Sequence, residues 1–123
     1  MRDIDGVIVV REIMVTAPTI STSDPVLASY RATLAGIYGD RLDTVVLFGS
    51  RARGDARPDS DYDIAVFLTD IPDRWVELDR LANLSVRFQD DIGALIDAKP
   101  YPSTAYRDSS PLMWEIRRDG VSL

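Results

Sequence analysis

Asp61 and Asp63 stand two residues apart in the run Asp61-Tyr62-Asp63-Ile64-Ala65-Val66. Alternate side chains of an extended strand share a face, so both carboxylates point one way and Tyr62 points the other. Two carboxylates side by side repel unless a cation lies between them. Oxygen-only donors favour magnesium or manganese, and an ion held there would also grip phosphate oxygens.

Upstream, the apolar run Thr44-Val45-Val46-Leu47-Phe48 ends in Gly49-Ser50, and ten residues separate that pair from Asp61. Gly49 has no Cβ, so a ligand can approach its backbone. Ser50 offers a hydroxyl and an N–H to a phosphate oxygen. Arg51 and Arg53 follow, and either could pair with phosphate. Gly54 lets the loop turn. Each piece alone is ordinary: Asp-x-Asp occurs on many exposed turns, and Arg51, Arg53 and Arg57 with Asp55 and Asp59 could form a solvated loop of weak ion pairs. The ordered set of strand, Gly-Ser, gap, aspartate pair and apolar strand is far more specific.

Composition narrows the chemistry. The 123 residues suit one compact domain with its own core. There is no cysteine and no histidine, which removes disulfides, thiolate sites, the usual general base and the usual zinc ligand. Proton transfer and metal binding therefore fall to carboxylates. The net charge of −6 repels a polyphosphate backbone, so long nucleic acid is a poor partner; the same charge also serves solubility. No apolar run is long enough to cross a bilayer, and Val7 to Val10 is cut short by Arg11-Glu12, unlike a secretory leader. The expected location is the cytoplasm.

The elements that must position these residues can be read in outline. Residues 1–22 form an N-terminal arm of uncertain structure, open between a loose arm, an extra strand at Val7–Val10 and a swapped element; residues 23–123 form the domain. Ser23-Asp24-Pro25 starts a helix carrying Leu27, Tyr30, Leu34 and Ile37, and Gly39 ends it. Thr44–Phe48 reads as a covered strand, Gly49–Ser60 as a loop and Tyr62–Leu68 as a second strand. Pro72-Asp73 opens a helix with Trp75, Leu78, Leu81, Ala82 and Phe88 on its apolar stripe. Asp91–Ala98 reads as a third strand with Gly93 inside it, and Lys99–Ser109 as a loop. Ser110-Pro111 starts a last helix that Gly120 stops, and Val121–Leu123 reads as a final strand. Trp75, Phe88, Met113 and Trp114 are expected in the core. The result is an α/β fold, a small mixed sheet flanked by helices.

Gly49-Ser50, ten residues and then Asp61-Tyr62-Asp63 resemble the signature of the polymerase-beta-like nucleotidyltransferase superfamily. Arg51-Ala52-Arg53-Gly54 and Pro58-x-Ser60 are similar to its minimal members, the MNT domains, and so is the ending Pro111-Leu112 to Gly120-Val121. The resemblance covers the chain from about Asp24 onward. It implies a magnesium- or manganese-dependent transfer of a nucleoside monophosphate from a nucleoside triphosphate. Asp61 and Asp63 would bind the metals, and Gly49 and Ser50 would hold the triphosphate, with Arg51 and Arg53 as further phosphate contacts. A third carboxylate on a neighbouring strand would complete the metal site. With the third strand taken as starting near Asp91 and running parallel to the second, Asp91 comes level with the pair and is the leading choice. Asp97 is the alternative, about six residues on, or roughly 20 Å at strand rise.

Larger relatives such as aminoglycoside nucleotidyltransferases carry a further helical domain for the acceptor. None is expected here, so another subunit or protein would complete the acceptor site. Minimal members are often paired with HEPN ribonuclease toxins, and the nucleotidyltransferase acts as antitoxin by moving AMP from ATP to a toxin tyrosine. That is the leading expectation. Neutralisation by binding alone, transfer to a small molecule, and assembly as a homo-oligomer remain open alternatives.

Overall fold

The computed structural model describes residues 24–123; the arm expected over residues 1–22, and with it the run Val7–Val10, lies outside the described residues. The first helix, α1 (Pro25–Tyr38), starts where the Asp24 carboxylate accepts the Val26 N–H at 2.9 Å and Pro25 fixes the first turn. It stops at Gly39, whose φ of 55° suits a residue without a Cβ. A single 3₁₀ turn leads into β1 (Leu42–Phe48). One helical turn, α2 (Ser50–Arg53), and a loop connect it to β2 (Tyr62–Leu68). The long helix α3 (Arg74–Ile92) is capped by Asp73, and β3 (Ile96–Pro102) follows. Helix α4 (Pro111–Asp119) begins at Ser110, whose hydroxyl accepts the Met113 N–H, and β4 (Val121–Ser122) closes the described chain.

The strands form one mixed sheet in the order β3-β2-β1-β4. β1 runs antiparallel to both β2 and β4, whereas β2 and β3 are parallel. Strand alternation sends Val45, Leu47, Ile64, Val66 and Leu68 to one face, where α1 and α3 cover them with Leu27, Tyr30, Leu34, Leu81, Leu84 and Phe88. Fully burying one such aliphatic side chain contributes about 1.5–3 kcal/mol, so this face dominates the stability. The other face carries Val46, Ala65 and Phe67 under Met113 and Ile116 of α4. That single short helix covers only part of it.

Three expectations are corrected. Asp91 does not open a strand. The helical pattern of α3 persists through Leu84 and Phe88, and Gly93, at φ 72°, caps it after Ile92. β3 begins at Ile96 and takes in Lys99–Pro102, where Pro100 and Pro102 predict a loop. The strand lies at the sheet edge, where proline is tolerated. The buried stripe of α3 is Glu77, Leu81, Leu84 and Phe88, so Trp75 is 80% exposed and Trp114 56% exposed, while Phe88 and Met113 are buried. Glu77 can face the protein because Arg41 and Arg80 donate to it at 2.7 and 3.2 Å. A buried carboxylate needs such partners. Burial and the neighbouring Glu77 push Tyr38 up to about 12.

Candidate active site

The chemistry-bearing residues meet at one end of the sheet, on the face that α4 only partly covers. β1 ends at Phe48, opposite Asp63 of β2. The chain then turns through Gly49, with φ 75° and ψ −157°, a region open essentially to glycine alone. A Cβ at Gly49 would lie 2.3 Å from Oδ2 of Asp63. The space that a Cβ would take at Gly49 is thus occupied by the Asp63 carboxylate. Ser50 opens α2. The N–H groups of Ala52 and Arg53 both donate to the Gly49 carbonyl at 3.1 Å, so those of Ser50 and Arg51 precede the first intrahelical bond.

Asp61 is exposed just before β2, and Asp63 is half-buried two residues later on the same face. The parallel register sets Asp63 beside Asp97 of β3, at the spacing of adjacent strands, about 4.8 Å. Burial raises the Asp63 carboxyl above its ordinary range, and the negative charges of Asp97, Asp61 and Glu115 raise it further; Lys99 works in the opposite sense. Four acids and one cation therefore bear on this point. Glu115, reaching in from α4, and Lys99 were not singled out from the sequence. Their only sequence signal is membership of α4 and β3, whose packing no local pattern encodes.

Asp91 lies elsewhere. It is exposed in the last turn of α3, the helix packed on the opposite face of the sheet. Asp97, the alternative, stands two residues before Lys99 on β3, and the Lys99 ammonium donates to its Oδ1 at 2.5 Å. Among the described residues no three acidic side chains close into a metal cage; the backbone instead sets Asp61, Asp63 and Asp97 around one end of the sheet.

The two arginines differ. Arg51 folds back over the loop: its Nε and Nη2 donate to the Ser60 carbonyl at 3.0 and 2.8 Å, and Nη2 also donates to Pro58 O at 3.2 Å. Its guanidinium lies 4.0 Å from the centroid of the Tyr62 ring. Tyr62 in turn donates to Asp24 at 2.9 Å, and Ser60 Oγ accepts the Arg57 N–H at 2.8 Å. Arg51 therefore fixes the residue just before Asp61, and its donors are turned from the carboxylate face. Arg53 is more open, with Asp55 at 3.4 Å and Glu115 at 3.8 Å.

The donor set fits a divalent cation. It is all oxygen, it concentrates negative charge, and the charge cost visible at Asp63 is of the kind that a bound cation relieves. Among the described residues nothing roofs this end: Asp61, Asp97 and Lys99 are all exposed. A recess of about 600 Å³, lined by Thr44, Phe67, Tyr106 and Arg107 among others, does not include these carboxylates. No described helix is long and apolar enough to cross a membrane.

Residues 37–121 match the family model described as polymerase beta, nucleotidyltransferase. A Methanocaldococcus jannaschii protein named as a protein adenylyltransferase is 29% identical over 79 residues, spanning 64% of this chain and 79% of its own length. Crystal structures of toxin–antitoxin proteins share the fold, two of them as follows. One, a toxin–antitoxin with AMP-PNP, is 23% identical with a TM-score of 0.54 over 76% of this chain and 69% of its own. The other, a mutant of the toxin–antitoxin MntA-HpeT, is 21% identical with a TM-score of 0.53 over the same shares.

Proposed function

The chain belongs to the polymerase beta nucleotidyltransferase family and is a nucleotidyltransferase, and we propose that it transfers AMP from ATP to a partner protein, a tyrosine of a HEPN ribonuclease toxin that it thereby silences. The observation that carries this reading is the register of β2 and β3, which seats Asp63 beside Asp97 with Asp61 one alternation away. The three carboxylates would hold magnesium or manganese, with Asp97 rather than Asp91 as the third. The metal, when bound, supplies Lewis-acid stabilisation of the charge on the triphosphate.

The chain's own residues do the rest. Gly49 and Ser50 hold phosphate oxygens at the start of α2, with Arg53, the last residue of the same turn, as a further contact. Asp97, at the exposed edge, accepts the proton of the acceptor hydroxyl. The hydroxyl oxygen bonds to the α-phosphorus, the bond from that phosphorus to the bridging oxygen breaks, and pyrophosphate leaves with the electron pair. Because Asp61 and Asp97 are exposed among the described residues, an acceptor can be as large as a folded protein, and its own surface would exclude water. The relative named as a protein adenylyltransferase and the toxin–antitoxin neighbours support this acceptor class.

The test is intact-mass spectrometry of a HEPN partner incubated with the protein, ATP and magnesium, beside the Asp61→Asn/Asp63→Asn double variant. The expected result is a gain of one AMP or multiples on the partner, absent with the variant and mapped to tyrosine. A stable complex with no mass gain from any nucleoside triphosphate would replace catalysis with neutralisation by binding.

A further inference from the structure

Thirteen of the fourteen basic residues are arginine; Lys99 is the one lysine. It lies on the edge strand β3, two residues after Asp97 and on the same face. The register places it beside Ala65, the smallest side chain of that face. Among the described residues its ammonium has one partner, Asp97 Oδ1, and the side chain is about half exposed. Of the groups that bear on Asp63 it is the cation. Arg51 is bound to the loop carbonyls and Tyr62, and Arg53 faces Asp55 and Glu115.

Taking the proposed nucleotidyl-transfer site as its premise, we propose that Lys99 is a tethered counter-ion of that site, paired with Asp97 while metal is absent and moved onto the triphosphate when metal takes Asp97. The physical reasoning is short. A divalent cation outcompetes a single ammonium for a carboxylate that it shares with Asp61 and Asp63. The ammonium is then repelled by the metal, yet its backbone anchor keeps it on the same face. A four-carbon stem with three rotatable donors lets it swing by several ångströms. The nearest new negative charge is the phosphate chain that arrives with the metal. Lysine suits this exchange better than arginine, whose planar fork would hold Asp97 by two bonds.

Opposite signs in two binding measurements test this. Manganese binding without nucleotide, followed by electron paramagnetic resonance, is expected to be several-fold tighter in Lys99→Met than in the wild type, because the competing ammonium is gone. Binding of a non-hydrolysable ATP analogue at saturating magnesium is expected to be weaker by about tenfold or more, the scale of one charge-assisted hydrogen bond. Lys99→Arg, which keeps the charge, is expected to retain analogue binding better than the methionine variant. Manganese binding that is unchanged or weaker in Lys99→Met, or analogue binding that is unchanged, overturns the proposal. If Asp63→Asn leaves manganese binding at the wild-type level, the site itself is misassigned and both readings fall.

Discussion

Replacing Gly49 by alanine tests whether the backbone turn and the Asp63 carboxylate form one device. Two costs can be worked out separately. The first is conformational: φ 75° with ψ −157° is a region that non-glycine residues adopt at about 1–3 kcal/mol. At roughly 4–8 °C per kcal/mol for a domain near this size, a central cost of about 2 kcal/mol lowers Tm by about 10 °C. The second is local. The new Cβ would lie 2.3 Å from Asp63 Oδ2 and 3.2 Å from its Cγ, so the carboxylate must retreat by roughly 1 Å to reach ordinary contact. A misplacement of that size costs about 10²-fold in a positioned reaction. The assays are thermal unfolding without metal, manganese binding, and AMP transfer to the partner measured well below the variant's Tm. Gly49→Ala is expected to bind manganese more weakly and to lose about two orders of magnitude in kcat/KM. A variant that loses stability while keeping wild-type kcat/KM and metal affinity would refute the coupling and reduce Gly49 to a turn residue.

Three further outcomes follow from the same geometry. Asp97→Asn is expected to lower AMP transfer by at least about 10²-fold, the scale of a lost general base, whereas Asp91→Asn on the opposite helix layer leaves it within about twofold; equal rates for the two variants in the transfer assay would remove Asp97 from the site. Because Asp63 sits above its ordinary range, the native state binds more protons there than the unfolded chain, so its contribution to stability falls as pH rises from the ordinary carboxylate value through the raised one. Metal-free Asp63→Asn should therefore show a higher Tm than wild type at pH 7, with the gap narrowing toward pH 4 and shrinking when magnesium is added; a lower Tm at pH 7 would contradict the charge balance. Arg51→Ala removes the bonds to Ser60 and Pro58 and the stack on Tyr62, and is expected to cost about 1–3 kcal/mol in chemical denaturation, with Arg51→Lys recovering little because an ammonium cannot make that set of contacts.

Much of the fold was legible because local signals agreed with tertiary need. Asp24-Pro25 and Ser110-Pro111 announce helix starts through side-chain caps, and Gly39 and Gly120 announce stops. The unbroken apolar runs of β1 and β2 announce central strands. β3 was hidden for the converse reason. Its two prolines, Pro100 and Pro102, argue against a strand unless one knows that it lies at the edge, and edge position is a property of the sheet. A strand expected from Asp91 also hides the end of α3, which Gly93 caps. The exposed Trp75 has the same origin: the buried stripe runs through Glu77, a charged residue whose partners Arg41 and Arg80 the sequence alone does not bring to it.

The candidate site divides along the same line. Gly49, Ser50, Asp61 and Asp63 are adjacent in sequence or separated by one loop, so strand alternation alone could place them near one another. Asp97, Lys99 and Glu115 arrive through β3 and α4, by a parallel register and a helix packing that no local pattern encodes. Arg51 shows the limit within the local segment. Its charge and position beside Ser50 suggest a phosphate ligand, but the aromatic face of Tyr62 and the carbonyls of Ser60 and Pro58 lie within its reach and are better partners in the folded loop. Tyr62 alternates away from the Asp pair, so the ring that draws Arg51 off the carboxylate face belongs to the same strand that presents Asp61 and Asp63 on it. The spacing that gathers the acids therefore also turns Arg51 away from them, whereas Lys99 and Arg53 pair with acids of that face, Asp97 and Glu115.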